Sequence, residues 1–111
     1  MRVLVAEDNM DIHEMIGLVL HEIGVNVTLA ASCNEAHKLL ATEQWDVLLT
    51  DLLFLERRTG FDLANDAACH GIRAVVMSGA QDKREDVEAR GVAFLAKPFS
   101  LAQLLGAIGC A

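Results

Sequence analysis

Glu7, Asp8, Asp51, Ser78 and Lys97 are scattered along the chain, yet each group follows a short apolar run. Val3-Leu4-Val5-Ala6 precedes Glu7 and Asp8, and Val47-Leu48-Leu49-Thr50 precedes Asp51. Ala74-Val75-Val76-Met77 precedes Ser78, and Val92-Ala93-Phe94-Leu95-Ala96 precedes Lys97. Acids, a hydroxyl and an ammonium are the side chains that handle phosphate or metal. Asp51 is the natural centre, because a carboxylate with an ordinary pKa of about 3.9 is already ionised at neutral pH. It can attack an activated phosphorus without a general base and form an aspartyl phosphate. No histidine stands at a strand end; His13, His21, His37 and His70 fall within predicted helices or at their ends. The sequence assigns none of them a partner, so catalysis by histidine is not expected.

Glu7, Asp8 and Asp51 brought together would repel one another. At 4 Å and an effective dielectric of about 20, each pair costs roughly 4 kcal/mol. Three such pairs exceed what Lys97 alone offsets. Either a carboxyl pKa rises or a hard divalent cation binds, and oxygen ligands with room for water and phosphate favour Mg²⁺. The cation would neutralise charge on a transferring phosphoryl group. Lys97 and the Ser78 hydroxyl would donate to its other oxygens. Singly, each residue has an ordinary reading: a strand-end Asp is a helix cap, Ser78-Gly79 a turn, Lys97 a solvated charge. The joint pattern points to function, because all five reach the same edge of one predicted sheet.

The elements that would place them there are five βα units. Apolar strands are expected near 2–6, 26–30, 46–50, 73–77 and 92–96, each followed by a helix. In the first helix Ile12, Met15, Ile16, Val19, Leu20 and Ile23 make one face at helical period. Asn9 or Asp11 can cap its start, and Gly24 suits the left-handed residue that ends it. The second helix, about 33–43, opens with Ser32 and Glu35 at capping-box spacing and buries Ala36, Leu39 and Leu40. The last, about 100–108, repeats the device with Ser100 and Gln103, followed by Leu101, Leu104, Leu105 and Ile108. The third and fourth are expected near 61–70 and 83–90, ending at Gly71 and Gly91. Asp82-Lys83-Arg84-Glu85-Asp86 reads as the solvated start of the fourth. Near-continuous apolar strands alternating with helices imply a parallel sheet covered on both faces. Right-handed crossovers make this a doubly wound, three-layer α/β sandwich, in which ligands bind beyond the carboxyl ends of the strands.

The 111 residues, 53% apolar, are expected to form a single domain over 1–111 with an aliphatic core. A net charge of -7 argues against direct nucleic-acid binding. No apolar run approaches the eighteen or so residues that a membrane span needs. Cys33, Cys69 and Cys110 are odd in number and lack ligand spacing. They are expected to be reduced packing residues in a cytoplasmic protein.

At this point the sequence resembles the receiver domains of two-component response regulators over nearly its whole length. The resemblance rests on Val3-Leu4-Val5-Ala6-Glu7-Asp8-Asn9, strand-ending Asp51, Met77-Ser78-Gly79 and Phe94-Leu95-Ala96-Lys97-Pro98-Phe99. It implies a flavodoxin-like (βα)5 fold with sheet order 2-1-3-4-5, and Asp51 as acceptor of a phosphoryl group from a kinase histidine. Asp8, Asp51 and the backbone carbonyl of Leu53 would ligate Mg²⁺, with Glu7 acting through metal-bound water. Ser78 and Phe94 would form the conformational switch, Phe94 lacking the hydroxyl a Tyr would carry. Lys97-Pro98 resembles a pair often joined by a cis peptide. Expected partners are a sensor histidine kinase or histidine phosphotransfer protein, docking near the first helix and the loops around Asp51, and an unknown downstream protein. The chain is expected to be a monomer or weak dimer without an output domain, a phosphoacceptor rather than a turnover enzyme.

The sequence departs from the family pattern in places. Phe54-Leu55 stands where Met-Pro is common, and Gly60 comes one position late, so the loop Leu52–Thr59 is expected to hold an insertion. Its Arg57-Arg58 reads as solvated. The segments from Asp51 to Ser78 and from Ser78 to Lys97 are short, which implies trimmed third and fourth helices. The altered loop keeps a second reading open, a receiver-like binding module that works without phosphorylation. A Mg²⁺-dependent aspartyl phosphatase would want an acid where Leu53 stands. A flavin carrier would want a hydroxyl- and glycine-rich loop in place of Glu7-Asp8-Asn9-Met10-Asp11.

Overall fold

A computed structural model describes residues 1–52, 60–79 and 81–109. The strands are β1 (Arg2–Ala6), β2 (Asn26–Ala30), β3 (Val47–Asp51), β4 (Arg73–Ser78) and β5 (Ala93–Ala96). The helices are α1 (Met10–Glu22), α2 (Cys33–Thr42), α3 (Gly60–Cys69), α4 (Arg84–Ala89) and α5 (Leu101–Ile108). A 3-10 turn, Gln81–Lys83, leads into α4. All strand pairs are parallel, in the order β2-β1-β3-β4-β5. This is the flavodoxin-like arrangement that the resemblance implied. Asp51 and Ser78 are the last residues of their strands rather than the first beyond them.

Alternation along the strands builds the layers. Val3 and Val5 face a cluster with Ile16 and Leu20 of α1 and Leu104 and Ile108 of α5. Leu4 and Ala6, one residue out of phase, join Ala36 and Leu40 of α2 and Leu63 and Ala67 of α3 on the other face. A smaller third cluster gathers Leu52, Ala64, Val76, Val87 and Val92. Both faces of the central strands are thus covered, as continuous apolar runs require. Among the described residues, no helix is long and apolar enough to cross a membrane.

The local signals mostly hold. Asn9, not Asp11, caps α1, its side chain accepting from the N–H groups of Asp11 and Ile12. Gly24 is left-handed at φ 84°, and Ser32 accepts from the Glu35 N–H at 3.1 Å. The capping box at α5 is complete: Ser100 Oγ accepts from Gln103 N–H at 3.1 Å and Gln103 Oε1 from Ser100 N–H at 2.8 Å. α1 differs from expectation. Its buried stripe is His13, Ile16, Gly17 and Leu20, while Met15 and Ile23 stay exposed. Gly17 is the reason: a Cβ there would lie 2.9 Å from Leu29 Cδ1, so the helix sits close on β2 and turns Met15 outward. Leu101 likewise stays exposed at the start of α5. Cys33 is buried in the second cluster, but Cys69 is exposed at the end of α3, so the packing role expected of every cysteine fails there. α4 is short, six residues of which only Val87 is buried. The expected insertion after Leu52, with Phe54-Leu55 and Arg57-Arg58, lies outside the described residues, as does Cys110.

Gly60 joins the fold to the strand end that matters most. Its N–H donates to the Leu52 carbonyl at 2.6 Å, and a Cβ there would run into the Asp51 carbonyl oxygen and lie 3.1 Å from Leu52 Cα. Backbone atoms cannot yield as a flexible side chain does. Gly60→Ala should therefore destabilise the protein by about 1–3 kcal/mol, the usual cost of forced overpacking. Urea denaturation checks this; an unchanged midpoint would show that the close approach is not needed.

Candidate functional site

β1 delivers Glu7 to the centre of the sheet's carboxyl edge, fully buried, with its N–H bonded to the Ala30 carbonyl at 3.1 Å. Its Oε1 accepts from the Asn9 N–H at 3.1 Å and its Oε2 from Lys97 Nζ at 3.0 Å. Asp51 ends the neighbouring β3 with its side chain 16% exposed. Asp51 Oδ1 accepts from its neighbour's N–H, that of Leu52, at 3.0 Å and from Lys97 Nζ at 3.2 Å. Lys97 follows β5, its own N–H bonded to the Ser78 carbonyl at 2.9 Å, and the Lys97-Pro98 peptide is cis.

Asp8 completes an acidic group. One oxygen from each of Glu7, Asp8 and Asp51 lies within 4.8 Å of the others. Ser78 is buried at the end of β4, and Phe94 is half-buried on β5. Val76 pairs with Phe94 and Ser78 with Ala96, so Ser78 and Phe94 project from the same face of the sheet. The structure thus brings Glu7, Asp8, Asp51 and Lys97 together and sets Ser78 on the adjacent strand end. Leu53, whose carbonyl was expected as a further ligand, lies outside the described residues.

The electrostatics follow from that geometry. Burial, and then the negative charge of Glu7, push the Asp51 carboxyl up to about 6 against the opposing pull of Lys97. Burial works against the Lys97 charge, but the Glu7 hydrogen bond and the charges of Asp51 and Glu7 outweigh it and hold the ammonium above its usual value. Without metal the cluster therefore takes the first of the two routes open to crowded carboxylates, a raised pKa. The donor set fits the second equally: converging hard oxygens with more negative charge than the local lysine balances are what a divalent cation of the Mg²⁺ or Ca²⁺ type requires.

Sequence reasoning missed the cluster on α2 and α3. His37 Nδ1 lies 2.8 Å from Asp66 Oδ2, while His70 Nδ1 lies 2.8 Å from the Asp66 carbonyl and 3.5 Å from its Oδ1. The i, i+4 spacing of Asp66 and His70 was a legible signal; the contribution of His37 from another helix was not. His13 is buried, and neither ring nitrogen has a hydrogen-bond partner among the described residues. Nothing in its helical spacing announced that.

The raised Asp51 pKa has a definite sign for stability. The folded protein holds the Asp51 proton more tightly than the unfolded chain, so ionisation subtracts stability as pH rises from about 4 to about 6. Asp51→Asn should therefore stabilise the metal-free protein at pH 7.5 by about 1–2 kcal/mol, solvent screening part of the cost of ionising Asp51. The gain should vanish near pH 4. Chemical denaturation at the two pH values reads both; a mutant no more stable than wild type at pH 7.5 would contradict the account.

The chain is similar to proteins of one kind. It is 34% identical over 112 residues to the transcriptional regulatory protein PdtaR of Mycobacterium tuberculosis, covering 96% of this chain and 54% of PdtaR. The chain spans about half the length of the curated relatives it matches. The receiver domain of the Francisella response regulator 1452 superposes with a TM-score of 0.86 at 26% identity, over 97% of this chain and 93% of that one. The response regulator TrrA of Thermotoga maritima, solved in complex with Mg²⁺-BeF, gives 0.86 at 20% identity over 97% and 96% of the two chains. The family model of the response regulator receiver domain matches residues 3–109. With the parallel 2-1-3-4-5 sheet and the acidic cluster at its carboxyl edge, this chain belongs to the response regulator receiver domains of two-component signalling.

Proposed function

We infer that Asp51 is the phosphoacceptor, and that residues 1–111 act as one receiver unit in the cytoplasm. The phosphoryl donor would be a sensor histidine kinase or a histidine phosphotransfer protein. One observation carries this reading: Lys97 Nζ is bound to Asp51 Oδ1 at 3.2 Å and to Glu7 Oε2 at 3.0 Å, with Asp8 converging on the same spot. An ionised Asp51 oxygen attacks the donor phosphorus. The new P–O bond forms as the P–N bond of phosphohistidine breaks, and the imidazole leaves with its electron pair. The Leu52 N–H and Lys97 orient the carboxylate, and Lys97 is placed to donate to a phosphoryl oxygen once that charge has moved outward. Mg²⁺, held by Asp8 and Asp51 and approached by Glu7, would neutralise the gathered negative charge when bound.

Ser78 and Phe94 share a sheet face beside this site, which suits the two-state pair that reads out its occupancy to a downstream protein. The upstream partner would dock against α1. Among the described residues, Ile12, Met15, Pro98 and Phe99 line an apolar groove of about 400 Å³ together with Lys97. Met15 at 50% and Leu101 at 49% exposure extend apolar surface along α1 and α5.

Incubation with acetyl phosphate and Mg²⁺ should add one phosphoryl group to the intact wild-type mass and none to Asp51→Asn. Equal labelling of the two would refute the acceptor assignment, and an unlabelled wild type would favour a module that works without phosphorylation. Met15→Glu should leave acetyl phosphate labelling within about twofold. It should slow transfer from a histidine phosphodonor protein that labels the wild type by about tenfold, the scale of one lost interface anchor. Equal slowing with both donors would place Met15 in the acceptor site rather than at the docking face.

A further inference from the structure

Among the described residues, little holds α4 to the body of the protein. It has six residues, one of them buried, and its N-cap position, Lys83, makes no capping side-chain hydrogen bond. Two arginines compensate. Arg84, the first residue of α4, lies over the Phe94 ring with its guanidinium carbon 5.0 Å from the centroid. Arg90, just past the helix end, lies over the Phe61 ring at 4.1 Å. Both rings border the small third cluster around Val76 and Val87, on the sheet face that Ser78 shares.

The two contacts are not equivalent. Phe61 opens α3 directly after Gly60, which is locked against the Asp51 and Leu52 backbone. Phe94 lies on β5, an edge strand, and borders an open groove of about 340 Å³ with Arg84, Gln103 and Ala107. A phenyl ring at that surface has no hydroxyl to anchor it in water. A guanidinium stacked on its face supplies the missing attraction, electrostatic and directional. Arg84 itself is exposed.

We propose that Arg84 is the residue that sets the resting position of Phe94 and couples it to α4. Its guanidinium holds the ring outward, and inward movement of Phe94 toward Ser78 breaks the contact and releases the first turn of α4. Arg90 on Phe61 keeps the other end in place, so α4 pivots instead of detaching. Arg84 is thus a positioning residue, acting on the switch and not on the phosphoryl group. The inference rests on the proposed switch role of Ser78 and Phe94.

The test follows the Phe94 ring by 19F NMR in the full chain labelled with 3-fluorophenylalanine, the Phe94 signal assigned by Phe94→Leu. Spectra are taken with Mg²⁺, with and without beryllium fluoride as the phosphoryl analogue. Wild-type Phe94 should shift when the analogue is added. Arg84→Gln, which removes the charge and keeps a polar stem, should move the resting signal toward that position by a two- to fivefold change in the outward-to-inward ratio, the range expected of an exposed cation–π contact. Arg84→Lys should restore part of the wild-type position, which a purely steric role would not. Arg90→Gln should perturb Phe61 and leave Phe94 in place. An Arg84→Gln resting signal identical to wild type would overturn the proposal. So would a wild-type Phe94 signal indifferent to the analogue; acetyl phosphate labelling of Asp51 in the same preparation then tells loss of the switch reading from loss of the acceptor.

Discussion

Lys97 supplies the only positive charge seen bonded to the acidic edge among the described residues, 3.0 Å from Glu7 and 3.2 Å from Asp51. Glu7 is fully buried and Asp51 partly so, in a region where two carboxylates would cost several kcal/mol without a counter-charge. One ammonium between the Glu7 and Asp51 carboxylates leaves net negative charge among the three groups. A site in this state has stored repulsion that a cation or a proton can relieve. That is a reason for a functional site to persist at a cost in stability.

Topology explains why the counter-charge is a lysine. The sheet order places β1 and β3 side by side at the centre, while Lys97 follows β5 at the edge with β4 between. Strands lie about 4.8 Å apart, so the ammonium must cross roughly 10 Å of sheet edge to reach Asp51. A four-carbon stem anchored by the Lys97 N–H on the Ser78 carbonyl achieves this. The same anchor ties Lys97 to the end of β4, one residue beyond the Ser78–Ala96 pair. α3 contributes from below, with Gly60 letting the helix start directly on the Asp51 carbonyl.

Much of this was legible in the residues. The strand-end positions of Glu7, Asp8, Asp51, Ser78 and Lys97 follow from period and parallel topology, because a βα crossover returns every strand in the same direction. The caps at Asn9, Ser32 and Ser100 follow from local spacing. Local pattern was weaker where a neighbour decides. The outward turn of Met15 depends on Gly17 meeting Leu29 of another element, and the pairing of His37 with Asp66 joins two helices. The Arg84–Phe94 and Arg90–Phe61 contacts also required the fold, since Asp82-Lys83-Arg84-Glu85-Asp86 reads in one dimension as a solvated charge run.

The central claim is that gathered carboxylates leave Asp51 poised between a proton and a cation. Its side-chain carboxyl can be followed directly by a 13C NMR pH titration of aspartate-labelled protein, first metal-free and then with saturating Mg²⁺. The account predicts a metal-free midpoint near 6 that moves down when Mg²⁺ is present. A midpoint near the ordinary value of about 3.9, unmoved by Mg²⁺, would contradict it.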